Sequence, residues 1–488
     1  MRDPNQVLEN TVRRCREKDI LIPTFAQMAD PGLIPDKARE ELKGIGLWDL
    51  HPRNLFRITW KNEPRDRGGG FGKVNYLEIP RELTGIKARL IMILGKYFPT
   101  GAHKVGAAFG CLVPRLISGE FDPTTQKAVW PSTGNYCRGG AYDSVLLGCT
   151  PVAILPEEMS KERFEWLKEV GSEIYATAGC ESNVKEIYDK CWELKRQFGD
   201  RVVVLNQFDE IGNPTWHFNI TGRALEEVFN LERREGERLS AVCLTQGSAG
   251  TLAAADYLKE VFPGVKLTVG EALQCPTLLY NGYGGHRIEG IGDKHVPWVH
   301  NLRQTDLVAA IDDNACVALA RLFNEPAGKT FLKGIGVPGE AVDRLDLLGI
   351  SSIANLLSAI KTARYFEYDE NDILMSIATD SMELYGSRIE EYREQSGEYT
   401  DTRAAVDYNR YIADLGIDYM LETSYYDRKR MHNLKYFTWI EQQGRELEDL
   451  NAQWYDAAWW TDQFRSTAEL DEKITEFNAK TGLLRKYG

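Results

Sequence analysis

From about residue 85 to residue 380, short β-rich runs alternate with amphipathic helical stretches. That alternation constrains this chain more than any other feature. Pro151-Val152-Ala153-Ile154-Leu155 reads as a buried strand, followed by a helix from Ser160 to Val170 with Ser160 in the cap position. Glu173-Ile174-Tyr175-Ala176 is another strand, followed by a helix from about Ser182 to Phe198 and a strand over 201–205. Ser240 to Thr245 reads as a strand feeding a glycine turn and a helix from about Ala249 to Val261. Leu267 to Ala272 and Ile373 to Ala378 are further buried strands, and Ala128-Val129-Trp130 ends one more. Such punctuated alternation predicts an α/β fold with largely parallel sheets flanked by helices. A chain of 488 residues exceeds one ordinary core and predicts two or three domains.

The two ends read differently. Residues 1–80 carry Pro and charge and include Arg67-Gly68-Gly69-Gly70-Phe71-Gly72. That loop resembles a phosphate cradle only superficially, because no convincing strand precedes it, and it reads as a flexible connection. Residues 400–488 are rich in Glu, Arg, Trp and Tyr at helical spacing, with Trp439, Trp454, Trp459 and Trp460 on the aromatic face. Isolated helices could not bury these rings, so the segment is expected to pack on the core or on a second subunit, with a homodimer as the default.

Several function classes fall away on composition. A net charge of −13 argues against nonspecific nucleic-acid binding. No segment approaches the ~20 apolar residues of a membrane span. The start, Met1-Arg2-Asp3-Pro4, lacks an apolar signal core, so the expected location is cytoplasmic. The nine cysteines form no Cys-x-x-Cys pair and read as reduced, small apolar side chains. His286, His295 and His300 lack tight ligand spacing, and no metal site is expected.

Three segments carry chemistry. In Pro99-Thr100-Gly101-Ala102-His103-Lys104 a lysine follows a tight turn at the head of a helix. The positive end of the helix dipole and partial burial both favour the neutral amine there, which attacks carbonyls and can hold an aldehyde cofactor. His103 is placed to contact a phosphate or to orient Lys104. In Ser132-Thr133-Gly134-Asn135, directly after a strand, hydroxyls and backbone N–H groups form a nest for a substrate carboxylate. The Asn135 amide is also suited to a phenolic oxygen on the cofactor. In Gln246-Gly247-Ser248-Ala249-Gly250-Thr251, glycines and a helix N-terminus suit a phosphate.

With those residues in view, the chain resembles the fold-type II pyridoxal phosphate enzymes, the superfamily of tryptophan synthase β-subunit and cysteine synthase. Thr100 to Lys104 is similar to the lysine motif of the former, and Ser132 to Asn135 to the substrate-carboxylate loop of the latter. Asn206-Gln207-Phe208, Asn213-Pro214, Arg287 to Gly292, Gly349 to Ser352 and Ala378 to Ser381 resemble further family segments. The resemblance covers roughly residues 80–395 and leaves out both ends. Tyr136-Cys137-Arg138 stands where cysteine synthases have small residues, so the substrate pocket is expected to be reshaped.

The resemblance implies a two-domain fold with a helical C-terminal extension. A large cofactor-binding domain comprises 81–104 and 208–395, a small substrate-loop domain 105–207, and extensions occupy 1–80 and 396–488. It implies pyridoxal 5'-phosphate on Lys104 and a hydroxyl partner for the pyridine nitrogen, assigned to Ser381, with Asp380 as the alternative. The implied reaction is β-elimination or β-replacement on a small α-amino acid through an aminoacrylate. A dehydratase, ammonia-lyase or racemase on the same scaffold is the alternative, and a catalytically poor cofactor-binding subunit of an assembly is the alternative of another class.

Overall fold

The computed structural model describes residues 3–132, 134–180 and 182–487. Its strands, in chain order, are β1 (Tyr76–Ile79), β2 (Arg89–Leu94), β3 (Lys127–Pro131), β4 (Thr150–Pro156), β5 (Glu173–Thr177), β6 (Val202–Val204), β7 (Arg238–Thr245), β8 (Lys266–Ala272), β9 (Leu307–Ile311), β10 (Asp372–Ala378) and β11 (Met420–Glu422). They form two sheets. The larger runs β1-β2-β10-β7-β8-β9-β11 and the smaller β5-β4-β3-β6. Every pairing in the smaller sheet is parallel. In the larger sheet β2, β10, β7, β8 and β9 are mutually parallel, and the edge strands β1 and β11 pair antiparallel. The parallel interior explains the apolar runs. β2, β9 and β10 are buried at every position, because helices cover both faces.

The strands read from the apolar runs lie close to where the sequence puts them. There are three differences. β2 and β9 sit within the alternation but are not singled out as strands by the sequence pattern, although Gly85 and Gly95 flank the first and Asp312 follows the second. The helix expected from Ala249 begins at Ala253, after a 3₁₀ turn over Gly250–Leu252, because Ala249 takes a left-handed conformation (φ 66°). Ser160 stands before the helix Lys161–Glu169 without capping it; its hydroxyl turns to the carbonyl of Leu384 at 3.5 Å.

Parallel order directs the strands' carboxyl ends to one edge, where ligands bind in open α/β sheets. β2 leads to Lys104, β7 to the glycine turn, β10 to Thr379, and β3 of the smaller sheet to Ser132.

Both ends of the chain are part of the body. The helix Thr467–Thr481 lies beside the N-terminal segment, with the Asn478 side chain bridging the backbone N–H and C=O of Ile22 at 3.1 and 2.8 Å. Arg53, fully buried, reaches Asp19 at 2.7 Å and Glu41 at 2.9 Å. The C-terminal region adds helices and also the edge strand β11. Trp439 is fully buried among Tyr188, Phe208, Trp298 and Leu450, and its indole N–H donates to the Val296 carbonyl at 2.8 Å. Trp460 and Phe464 pack on Phe218 and Ala253. The aromatic face therefore covers the α/β body of the same chain, while Tyr426 and Tyr455 remain exposed. Trp439→Ala is expected to destabilise the protein by about 3–5 kcal/mol, read as a lowered denaturation midpoint; an unchanged midpoint would mean that the extension docks without contributing to the core.

Candidate active site

Lys104 opens the helix Lys104–Ser118, after a turn in which Thr100 and Gly101 both have positive φ (65° and 72°). Its Nζ donates to Ser248 Oγ at 3.0 Å and to Gln207 Oε1 at 3.2 Å. Asn213 Nδ2 donates to the same Ser248 oxygen at 3.0 Å and to the Gln207 carbonyl at 2.8 Å. With its oxygen accepting from both partners, Ser248 keeps its O–H proton for an acceptor in the cleft. Gln207 Nε2 donates to Ser132 Oγ at 3.3 Å, and the Gly134 N–H donates to that hydroxyl at 3.1 Å. The lysine, the glycine turn and the Ser132 loop, far apart in sequence, are thus one hydrogen-bonded unit.

The glycine turn is shaped by close approach. A Cβ on Gly250 would stand 2.0 Å from Asn213 Oδ1, and one on Gly247 would stand 2.8 Å from the Gly290 carbonyl. Ala249, held left-handed, turns the chain between them. Thr245, Gly247, Ser248, Ala249 and Thr251 line a cavity with His103 and Lys104. A second cavity, sharing Lys104, Gly247, Ser248 and Thr379, is lined by Ser132, Asn135, Tyr136, Val184, Phe208 and Asp293.

His103 and His217 stack edge to face at 4.9 Å. Burial, reinforced in His103 by the charge of Lys104, holds both imidazoles well below their ordinary pKa. Both are neutral, and neither ring nitrogen of His103 has a hydrogen-bond partner among the described residues.

On the far side of the cleft, Asn135 Nδ2 donates to Asp380 Oδ2 at 2.6 Å and Tyr385 donates to the same oxygen at 2.7 Å. Burial pushes the Asp380 carboxyl up, against those two bonds. Arg163 donates to Tyr385 at 3.0 Å and pairs with Glu289, which Arg388 also holds at 2.5 Å. Arg163 also packs so closely on Gly134 that a Cβ there would stand 2.6 Å from its guanidinium carbon.

Most of the residues named from sequence meet here. Four do not line the cleft, the first being Gly134, which is packed against the Arg163 guanidinium. The Gln246 side chain is turned to His300 Nδ1 at 2.7 Å. Gly250 supports the turn from behind, against Asn213. Ser381 lies beyond the cleft wall, and Thr379 lines it instead. Thr133 lies outside the described residues. Sequence reasoning missed Thr379, Asn213 and Asp293 as site residues; the strand signal, running to Ala378, would have put Thr379 first past the strand end. The Arg67 to Gly72 loop lies elsewhere: Arg67 and Gly72 line a larger groove of about 660 Å³ that contains none of these residues.

A primary amine fixed beside a glycine-lined anion turn, at the carboxyl edge of a parallel sheet, defines an enzyme that carries an aldehyde cofactor bearing a phosphate. The residues present suit that group. Ser248 has a proton to give, Gly247 and Ala249 expose backbone, and Asn135 Oδ1 is buried without a partner among the described residues. Residues 75–331 match the family described as Pyridoxal-phosphate dependent enzyme, and the chain belongs to that family. It is similar to the probable cysteine synthase of Bacillus subtilis (strain 168), at 28% identity over 304 residues, 61% of this chain and 88% of that protein. It is also similar to cystathionine beta-synthase of Saccharomyces cerevisiae, at 27% identity over 63% of this chain and 59% of that protein. Among solved structures, a cysteine synthase from Entamoeba histolytica shares the fold with a TM-score of 0.57 and 21% identity, covering 68% of this chain and 92% of that one.

Gly250→Val is expected to displace Asn213 and with it Ser248, weakening pyridoxal phosphate binding at least about tenfold, or ~1.4 kcal/mol. Titration of the apoenzyme with cofactor, followed by absorbance, checks this; unchanged affinity would remove the glycine turn from the phosphate site.

Proposed function

We propose that this chain catalyses β-replacement or β-elimination on a small α-amino acid, with Lys104 as its catalytic residue. The observation that carries the reading is the Lys104 amine held by Ser248 and Gln207 where the glycine turn meets the Ser132 loop. Bound pyridoxal phosphate supplies the electron sink that makes the α-proton acidic. Lys104 holds the cofactor and, once released by substrate, moves the α-proton as general base. Gly247, Ser248, Ala249 and Thr251 hold the phosphate, and His103, neutral, supports them without adding charge. Ser132, with the Thr133 and Gly134 backbone, takes the substrate carboxylate, and Asn135 offers its amide to the phenolic oxygen of the cofactor.

For the partner of the ring nitrogen, which the sequence leaves between Ser381 and Asp380, we propose Thr379 instead: it lines both cavities at the end of β10, while Asp380 is turned to Asn135 and Tyr385. A hydroxyl at the ring nitrogen would leave it largely unprotonated and the electron sink weaker than an Asp partner would. We further propose that 81–104 and 208–395 form the large cofactor lobe and 105–207 the small substrate-loop lobe; the strands β2, β7, β8, β9 and β10 fall in the first and β3 to β6 in the second, while the edge strands β1 and β11 of the larger sheet come from the two extensions. No helix among the described residues is long and apolar enough to cross a membrane, and all nine cysteines are free, which supports a cytoplasmic setting. Homodimerisation through the exposed Tyr425, Tyr426 and Tyr455 region completes the reading.

Borohydride reduction of the holoenzyme followed by peptide mapping is expected to label Lys104. Lys104→Ala is expected to lower turnover of a β-substituted alanine by about 10²–10⁴-fold. A label on another lysine, or a fully active Lys104→Ala protein, would overturn the assignment.

A further inference from the structure

The cleft wall holds one charged oxygen that the reaction outlined above does not use. Asp293 follows Gly290-Ile291-Gly292 and lines the cleft together with Lys104, Ser132 and Asn135. Its side chain is 2% exposed. Oδ1 accepts from the His295 backbone N–H at 3.0 Å and lies 3.2 Å from His295 Nδ1. Thr277 Oγ1 donates to the Asp293 carbonyl at 2.7 Å, so the backbone is anchored as well. Oδ2 is buried and has no hydrogen-bond partner among the described residues. A charged acceptor left without a donor is more costly than a neutral one, and such an atom in a native cleft calls for a ligand donor.

The other walls indicate which part of a ligand faces it. The amino acid carboxylate is assigned to the Ser132 loop and its amine to the region of Lys104. Of the remaining lining, Val184, Phe208 and Ile291 are apolar, and the Gln207 and Tyr136 side chains are hydrogen-bonded to Lys104, Ser132 and the Leu205 carbonyl, which leaves Asp293 as the acidic group of this wall. In a site of low dielectric, a carboxylate here repels an anion strongly and welcomes a donor or a cation. We propose that Asp293 is a specificity-determining residue for the β-substituent. The site takes amino acids whose β-group donates a hydrogen bond or is cationic (a hydroxyl, an amine, an amide-type N–H) and excludes those whose β-group is an anion such as phosphate. This rests on the β-chemistry reading above and names the substrate class within it.

The test is binding rather than turnover. The holoenzyme is titrated with L-alanine, L-serine, L-2,3-diaminopropionate and O-phospho-L-serine, following the absorbance of the bound cofactor. The wild-type protein is expected to bind serine and diaminopropionate at least about tenfold more tightly than O-phospho-L-serine. In Asp293→Asn, diaminopropionate affinity is expected to fall about tenfold and O-phospho-L-serine affinity to rise. Alanine, which has no β-substituent, is expected to be unaffected. The wild-type ranking alone decides the matter if the variant does not fold: O-phospho-L-serine binding as tightly as serine overturns the proposal. An equal loss for alanine and diaminopropionate in Asp293→Asn also overturns it, by making Asp293 a partner of the α-amino group or of the loop alone. If no amino acid changes the absorbance of the wild-type holoenzyme, the β-chemistry reading itself falls, and this proposal with it.

Discussion

Ser248 Oγ accepts from Lys104 at 3.0 Å and from Asn213 at 3.0 Å. That shared acceptor joins three segments far apart in the sequence. It ties the first residue of a helix after β2 to the turn after β7. Through Asn213 and Gln207 it also reaches the segment that connects the two sheets. A hydroxyl accepting twice has a single orientation left for its proton, so the geometry of the amine and of the anion turn are set together. The parallel order of β2, β10 and β7 makes the meeting possible, because it brings these three carboxyl ends side by side.

Across the cleft from that unit lies a buried charged network beside the Ser132 loop. Asn135, Asp380, Tyr385, Arg163 and Glu289 connect the Ser132 loop, the end of β10, the helix after β4 and the Gly290 loop. Buried ion pairs of this kind add little net stability, since desolvation offsets much of their attraction. What they add is position: removing any one partner strands another charge. The network therefore fixes how the loop carrying Asn135 sits against the larger sheet.

The C-terminal extension acts on the same geometry from outside. Lys435, fully buried, donates to the carbonyls of Trp298 and His300 and to Gln453, while burial pushes its pKa well down. His300 in turn binds the Gln246 side chain, one residue before Gly247. The extension thus reaches the anion turn through two hydrogen-bonded steps.

The sequence by itself determined the fold class, because runs such as Pro151 to Leu155 and Ile373 to Ala378 are too short and too apolar for anything but buried parallel strands. It singled out Lys104, the Ser132 loop and the glycine turn as candidates, because each combines a residue type with a local turn suited to the proposed chemistry, and the fold brings the three together. It did not determine which side chains face the cleft. Gln246 and Ser381 have suitable chemistry, yet one is held by His300 and the other lies past the wall, while Thr379 takes the inward position. That is set by strand register and by neighbours distant in sequence, His300 standing 54 residues from Gln246. The same holds for Asp293, whose unpartnered oxygen exists only because the loop after Gly292 is anchored by Thr277 and His295. The aromatic pattern of the last ninety or so residues announced that a face must be buried. Only the tertiary structure decided that it covers Trp298 and Phe208 of the same chain, since burial of Trp439 depends on contacts that no local signal encodes.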